Sequence, residues 1–295
     1  MRYRLLGKTG LSVSSVGIGS WQLGGAWGKD FTQQEVNDLL SKGSELGINF
    51  IDTAECYGDH LSEMLIGEAI RGQRDQWIVA TKFGHNWGNG LPKEDNYKPE
   101  QVLVQLEASL RALKTDYIDI YQLHSAGREE FDNQELWTML EKQVQAGKVR
   151  FLGNSIGQPS MLYQVQKSTD YGISVIQTIY NAVKRKAEET VLPVADNQNL
   201  GVIARVPLAS GFLSGKYQPG ARFIDSDIRS KRPEEGLDAE IAAALDALKE
   251  KPDGIDAASW AIAWCLKQPR ISTVIPGCKT IEQLLANAAG ADLDL

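Results

Sequence analysis

The chain has 295 residues, 42% of them hydrophobic and 23% charged, with a formal net charge of −7. That length suits two average domains or one large α/β barrel, and the acidic balance argues against a nucleic-acid binder, which would present a basic face. Three cysteines without pairing or metal-ligand spacing, a polar N-terminus and no run near 18 apolar residues predict a cytoplasmic protein in a reducing compartment, away from membranes.

In chain order, a turn-rich stretch at Gly7–Gly10 predicts a small β-hairpin. Eight strand-like runs follow, at 13–20, 49–54, 77–83, 117–124, 149–155, 175–180, 202–206 and 272–275. Helical patterns separate them at 32–46, 62–70, 99–113, 133–146, 158–167, 188–198 and 256–267. Leu103, Leu106, Leu110 and Leu113 repeat at three and four, a core-facing stripe. Gly47, Gly147, Gly172 and Gly201 stand between a helix and the next strand, where a left-handed cap is wanted. The strands are near-continuously apolar, as in a parallel sheet buried on both faces. Strict alternation of eight β and α units predicts a closed (β/α)8 TIM barrel, class α/β, as one domain over 1–295. A long polar loop at 213–236 and an extra helix at 237–251 precede the eighth strand.

Gly17-Ile18-Gly19 follows the first strand, but the third glycine of a dinucleotide fingerprint would fall at Gln22, and no helix begins until about Thr32. A strand ending in a glycine-rich turn is the better reading. The informative positions are the strand carboxyl ends, where barrel enzymes keep their catalytic groups. In order these are Ser20, Asp52, Lys82, His124, Asn154 with Ser155, Gln177 and Arg205, and Tyr57 closely follows Asp52. Burying so many polar groups costs several kcal/mol for each unpaired charge, so they are expected to meet one another. No His-x-His pair ends a strand and carboxylates do not cluster on this rim, so no metal is expected.

The segment Asp52-Thr-Ala-Glu-Cys-Tyr57-Gly58, continuing through Ser62-Glu63 to Gly67, resembles the signature of the aldo-keto reductases. Ile78-Val-Ala-Thr-Lys82-Phe and Asp119-Ile-Tyr-Gln-Leu-His124 resemble the next two signatures of that family. Pro207-Leu-Ala-Ser-Gly211-Phe-Leu-Ser-Gly215-Lys216-Tyr and Ile275-Pro-Gly277-Cys-Lys279 are similar to its cofactor loops. The resemblance spans nearly the whole chain and implies NADP(H)-dependent reduction of an aldehyde or ketone. A phenol with a pKa near 10 is a sluggish acid at neutral pH. An adjacent ammonium favours its phenolate, and a carboxylate holds the ammonium. Tyr57 is thus expected to be the general acid, Lys82 its tuner, Asp52 the anchor and His124 the group that orients the carbonyl.

The same resemblance implies cofactor contacts from Ser20, Trp21 and Asp52, and a carboxamide held by Ser155 and Gln177. Ile156 stands where the family commonly has Asn, and Asn154 is expected to take over that hydrogen bond. Arg205 occupies the position of a ring-stacking tyrosine, which implies a bias toward the reduced, uncharged nicotinamide. Pro207, Leu208, Ser210, Gly211, Leu213, Gly215, Lys216 and Gly277 are expected along the diphosphate. Lys279 is expected at the 2′-phosphate, with Gln283 and Asn287 beyond it. Trp21, Trp27, Trp87 and His124 would wall a site for an apolar or aromatic carbonyl compound. Cys56 reads as small filler pointing elsewhere, and monomer and homo-oligomer both stand. The alternative is an NADP-binding regulatory subunit resembling those of potassium channels, against which the short segment before the barrel weighs.

Overall fold

The computed structural model describes residues 1–88 and 91–295, and the side chains of all of these except 86–94. The hairpin pairs β1 (Tyr3–Leu5) with β2 (Ser12–Ser14). Eight parallel strands then form one sheet: β3 (Ile18–Gly19), β4 (Phe50–Asp52), β5 (Ile78–Phe83), β8 (Ile118–His124), β9 (Val149–Ser155), β10 (Ile173–Ile179), β11 (Gly201–Arg205) and β12 (Thr273–Ile275). Single parallel bridges, Val16 to Val274 and Gly19 to Gly277, bring β12 back to β3 and complete the ring. An antiparallel pair, β6 (His85–Gly88) and β7 (Leu91–Asp95), stands apart on the loop after β5.

Helices α1 (Gln33–Glu45), α2 (Leu61–Ala69), α3 (Pro99–Ala112), α4 (Arg128–Phe131), α5 (Gln134–Gln145), α6 (Leu162–Gln166), α7 (Val191–Asn197), α8 (Glu234–Ala247), α9 (Ala257–Leu266) and α10 (Ile281–Ala289) lie between and after the strands. Local chemistry sets their starts. Thr32 caps α1 reciprocally with Glu35, Asn133 caps α5, Asp256 caps α9 and Thr280 caps α10. In α1 the buried residues Val36, Leu39, Leu40 and Gly43 follow the helical period and face the barrel.

The predicted first strand resolves into two elements. Ser12–Ser14 pairs with the hairpin, and only Ile18–Gly19 joins the barrel. Helix α6 is also much shorter than the predicted 158–167. Gly201 is not a left-handed cap; that conformation falls on Asn199, with φ of 50°. Glycine is needed at 201 for space, since a Cβ there would lie 2.6 Å from Leu6 Cγ.

Inside the ring, strand alternation builds two layers. The lower layer is Phe50, Ala80, Ile120, Val175, Ile203 and Ile275, closed beneath by Leu6 and Val13 of the hairpin segment. Two residues further along each of five strands, the same face carries Asp52, Lys82, Gln122, Gln177 and Arg205. An apolar plug below and a polar layer above leave the chemistry at the carboxyl end. No helix among the described residues is long and apolar enough to cross a membrane.

Candidate active site

The polar layer is wired together. Lys82 Nζ donates to Asp52 Oδ1 at 2.6 Å, to the Thr53 carbonyl at 2.7 Å and to the Tyr57 hydroxyl at 3.2 Å. The other oxygen of Asp52 accepts from Gln177 Nε2 at 2.6 Å and Gln122 Nε2 at 3.1 Å. Both charges are buried, yet every donor of the ammonium and both carboxylate oxygens have partners, which is what makes such burial tolerable. Tyr57 comes off the turn between β4 and α2, close against the loop after β3. A Cβ on Gly24 would lie 2.6 Å from the carbonyl carbon of Tyr57, so only glycine lets the two backbones approach. Trp21 stacks on the phenol, with ring centroids 6.0 Å apart, and His124 meets its ring edge-on at 6.3 Å.

Burial pushes the Tyr57 phenol up, Lys82 pulls it back and Asp52 pushes it up again, for a net rise to about 12. The net direction is opposite to the sequence-based expectation of a lowered phenol, because the same burial that brings Lys82 close removes the water that would solvate a phenolate. For Lys82 burial works to lower the pKa, but Asp52 and Tyr57 outweigh it and hold the ammonium above its ordinary range. Burial, and then the positive charges of Lys82 and Arg205, keep His124 well below the usual imidazole value, so it is neutral at pH 7. The site therefore offers a neutral phenol, a fixed cation behind it and a neutral imidazole beside it.

A cavity of about 900 Å³ opens over this layer, lined at one end by Asp52, Tyr57, His124 and Gln177. It runs past Arg205, Pro207, Leu208, Ser210, Gly211 and Lys216 to Gly277, Lys279, Gln283 and Asn287. The loop after β11 is held in left-handed backbone geometry at Val206, Ala209 and Ser210, with φ of 58°, 48° and 61°. For a β-branched residue such as Val206 this is an unusual, strained conformation of the kind found at functional loops. Two chain segments meet across the cavity: Trp27 bridges Asp227, and Ile228 N–H donates to the Ala26 carbonyl at 2.8 Å.

Ser20, Trp21 and Trp27 also line the cavity. Ser155 sits behind Gln177, donating to its Oε1 at 3.3 Å. Three expected cofactor residues are not brought in. Asn154 Nδ2 donates instead to Gln164 Oε1 of α6 at 2.9 Å, because alternation turns it outward when Ser155 faces inward. Leu213 is fully buried in the cluster around α8 and α9, and Gly215 ends the preceding turn as its left-handed cap. The backbone of Trp87 belongs to β6, but its side chain lies outside the described ones. Cys56 is not distant filler; its Sγ lies 3.7 Å from His124 Nδ1.

The structure adds residues that the sequence did not single out. Gln122 completes the support of Asp52. Arg229 pairs with Asp227 through two contacts, at 2.9 and 2.7 Å, and donates to the Ser210 carbonyl at 3.2 Å. Arg232 donates to Ser210 Oγ at 2.9 Å. Both arginines come from the long polar loop, whose basic residues were the only available signal. Lys279 Nζ is tied to the Trp27 carbonyl and lies 3.8 Å from Asp227. Two buried donors without partners among the described residues, Arg205 Nε and Asn287 Nδ2, belong to cavity-lining residues.

An eight-stranded barrel with ionisable groups wired at its carboxyl rim and a long cleft beside them has the build of a cofactor-dependent enzyme. The profile of the Aldo/keto reductase family matches residues 15–295, and the chain belongs to that family. It is 32% identical over 298 residues to "Uncharacterized oxidoreductase YqkF" of Bacillus subtilis, covering 99% of this chain and 92% of that protein. It is 29% identical, with 99% and 92% covered, to "Probable voltage-gated potassium channel subunit beta" of Arabidopsis thaliana. Among solved structures, the holo form of aldo-keto reductase AKR11C1 from Bacillus halodurans matches with a TM-score of 0.81 at 29% identity, over 100% of this chain and 92% of that one. The protein is an oxidoreductase by family and fold.

Proposed function

We propose that the protein reduces an aldehyde or ketone to the alcohol with NADPH. The observation that carries this is the buried Asp52–Lys82–Tyr57 chain opening onto the cavity beside a neutral His124. A nicotinamide held there would supply the hydride for the carbonyl carbon. The unpartnered donors Arg205 Nε and Asn287 Nδ2 fit such a ligand, since buried polar groups otherwise find a partner. Gln177, with Ser155 behind it, would hold the carboxamide and Arg205 the ring. Leu208, Ser210, Gly211 and Lys216 would hold the diphosphate, and Lys279, Gln283 and Asn287 the adenosine end.

As the carbon is reduced, its oxygen takes the Tyr57 proton. An alkoxide is more basic than a phenolate, so the transfer runs downhill even from a phenol near 12. The phenolate left behind is stabilised by Lys82, whose charge Asp52 balances, and is reprotonated from solvent. His124 donates a hydrogen bond to the carbonyl oxygen, and Trp21 and Trp27 wall an apolar substrate. The second reading, a cofactor-binding channel subunit, is supported by the Arabidopsis relative. NADPH consumption with a panel of aldehydes and ketones, lost in Tyr57→Phe while that variant still binds NADPH, is the expected result. Cofactor binding with no consumption for any carbonyl would overturn the reductase reading and favour the regulatory one.

A further inference from the structure

One cluster beside the catalytic chain has no part in carbonyl reduction as a set. A carboxylate oxygen of Glu55, the sulfur of Cys56 and a ring nitrogen of His124 lie within 4.8 Å of one another, the only such trio among the described residues. We propose that these three side chains form a site for a thiophilic divalent cation of the zinc class.

The donor set selects that class. A thiolate and an imidazole suit zinc and its softer neighbours, whereas magnesium and calcium want oxygens alone. The spacing is close to ready-made. Cys56 Sγ and His124 Nδ1 are 3.7 Å apart, and the edge of a tetrahedral site between sulfur and nitrogen is about 3.6 Å from standard zinc distances. Glu55 brings an independent sign. Its carboxyl is buried, with Oε1 already oriented by the His85 N–H at 3.0 Å, while Oε2 is buried with no hydrogen-bond partner among the described residues. An orphaned buried oxygen calls for an explanation, and a cation is one. Of the three, His124 lines the main cavity, which provides an entry path and a fourth position for water. On binding, the sulfur–metal bond replaces the S–H bond, and the thiol and carboxyl protons leave to solvent.

The imidazole is shared with the carbonyl site, so occupancy places the cation against the reacting region. Metal binding itself does not depend on the reductase reading and is measured without turnover. The test uses the full chain, stripped with chelator and titrated with cobalt(II) followed optically and zinc(II) by calorimetry. The expected result is one equivalent bound, with an ultraviolet thiolate-to-cobalt charge-transfer band. Cys56→Ser should abolish the band, and Glu55→Gln should weaken zinc by roughly tenfold or more. No thiolate band in the wild-type protein, or zinc bound as tightly by both variants, overturns the site. Should Cys56→Ser fail to fold, the wild-type band and Glu55→Gln still decide.

Discussion

Replacing Lys82 by Met separates the two roles assigned to the ammonium. The change keeps an unbranched apolar stem one atom shorter and removes three hydrogen bonds, at 2.6, 2.7 and 3.2 Å, from the buried Nζ. Asp52 then stays buried without its counter-charge. Breaking a buried pair by removing one partner costs about 3–5 kcal/mol, and the lower end applies because Gln122 and Gln177 still donate to Asp52 Oδ2. A loss of about 3 kcal/mol in a chain of this size lowers Tm by roughly 5–10 °C. Activity should fall further, with kcat/KM for a carbonyl reduced about 10²–10⁴-fold as Tyr57 loses the charge that stabilises its phenolate. The double variant Asp52→Asn/Lys82→Met then recovers most of the stability, since no unpaired charge remains, but none of the activity. Thermal unfolding and steady-state NADPH kinetics on the three proteins read both effects. A Lys82→Met enzyme within tenfold of wild type, or a double variant no more stable than the single, would refute this account of the site.

Three further outcomes follow from the geometry. The Tyr57 phenol, held up near 12, stays protonated through neutral and mildly alkaline pH. The acid role proposed for it would be lost only as pH rises through that value, so kcat/KM for reduction should show no Tyr57 limb below about pH 10. Gly24→Ala sets a Cβ 2.6 Å from the Tyr57 backbone. It should cost about 1–3 kcal/mol in a urea denaturation series and, by displacing the phenol, up to about 10²-fold in kcat. Lys279→Met should raise KM for NADPH roughly tenfold or more and leave that for NADH unchanged, the value of one charged hydrogen bond. Equal changes for both cofactors would remove Lys279 from the 2′-phosphate.

Much of this protein is legible in its sequence because two periodicities carry the information. Alternating apolar and helical runs specify the barrel, and the period of two along a strand places Asp52 above Phe50, Lys82 above Ala80 and Gln177 above Val175. Asp52, Lys82 and His124 thus stand out by their places at strand ends, whereas Tyr57 and the roles proposed for all four came from the resemblance. Contacts that depend on distant segments could not. Asn154 and Ser155 are neighbours in sequence, yet only the position of Gln164 on α6 shows which of them leaves the barrel. The turn after β4 follows no strand alternation, so nothing local reveals that Cys56 meets His124. Arg229 and Arg232 lie in a loop without periodicity, and their partner Ser210 is 19 and 22 residues away. The direction of the Tyr57 shift is decided by tertiary burial, because desolvation depends on everything packed around the phenol while sequence names only its nearest charges.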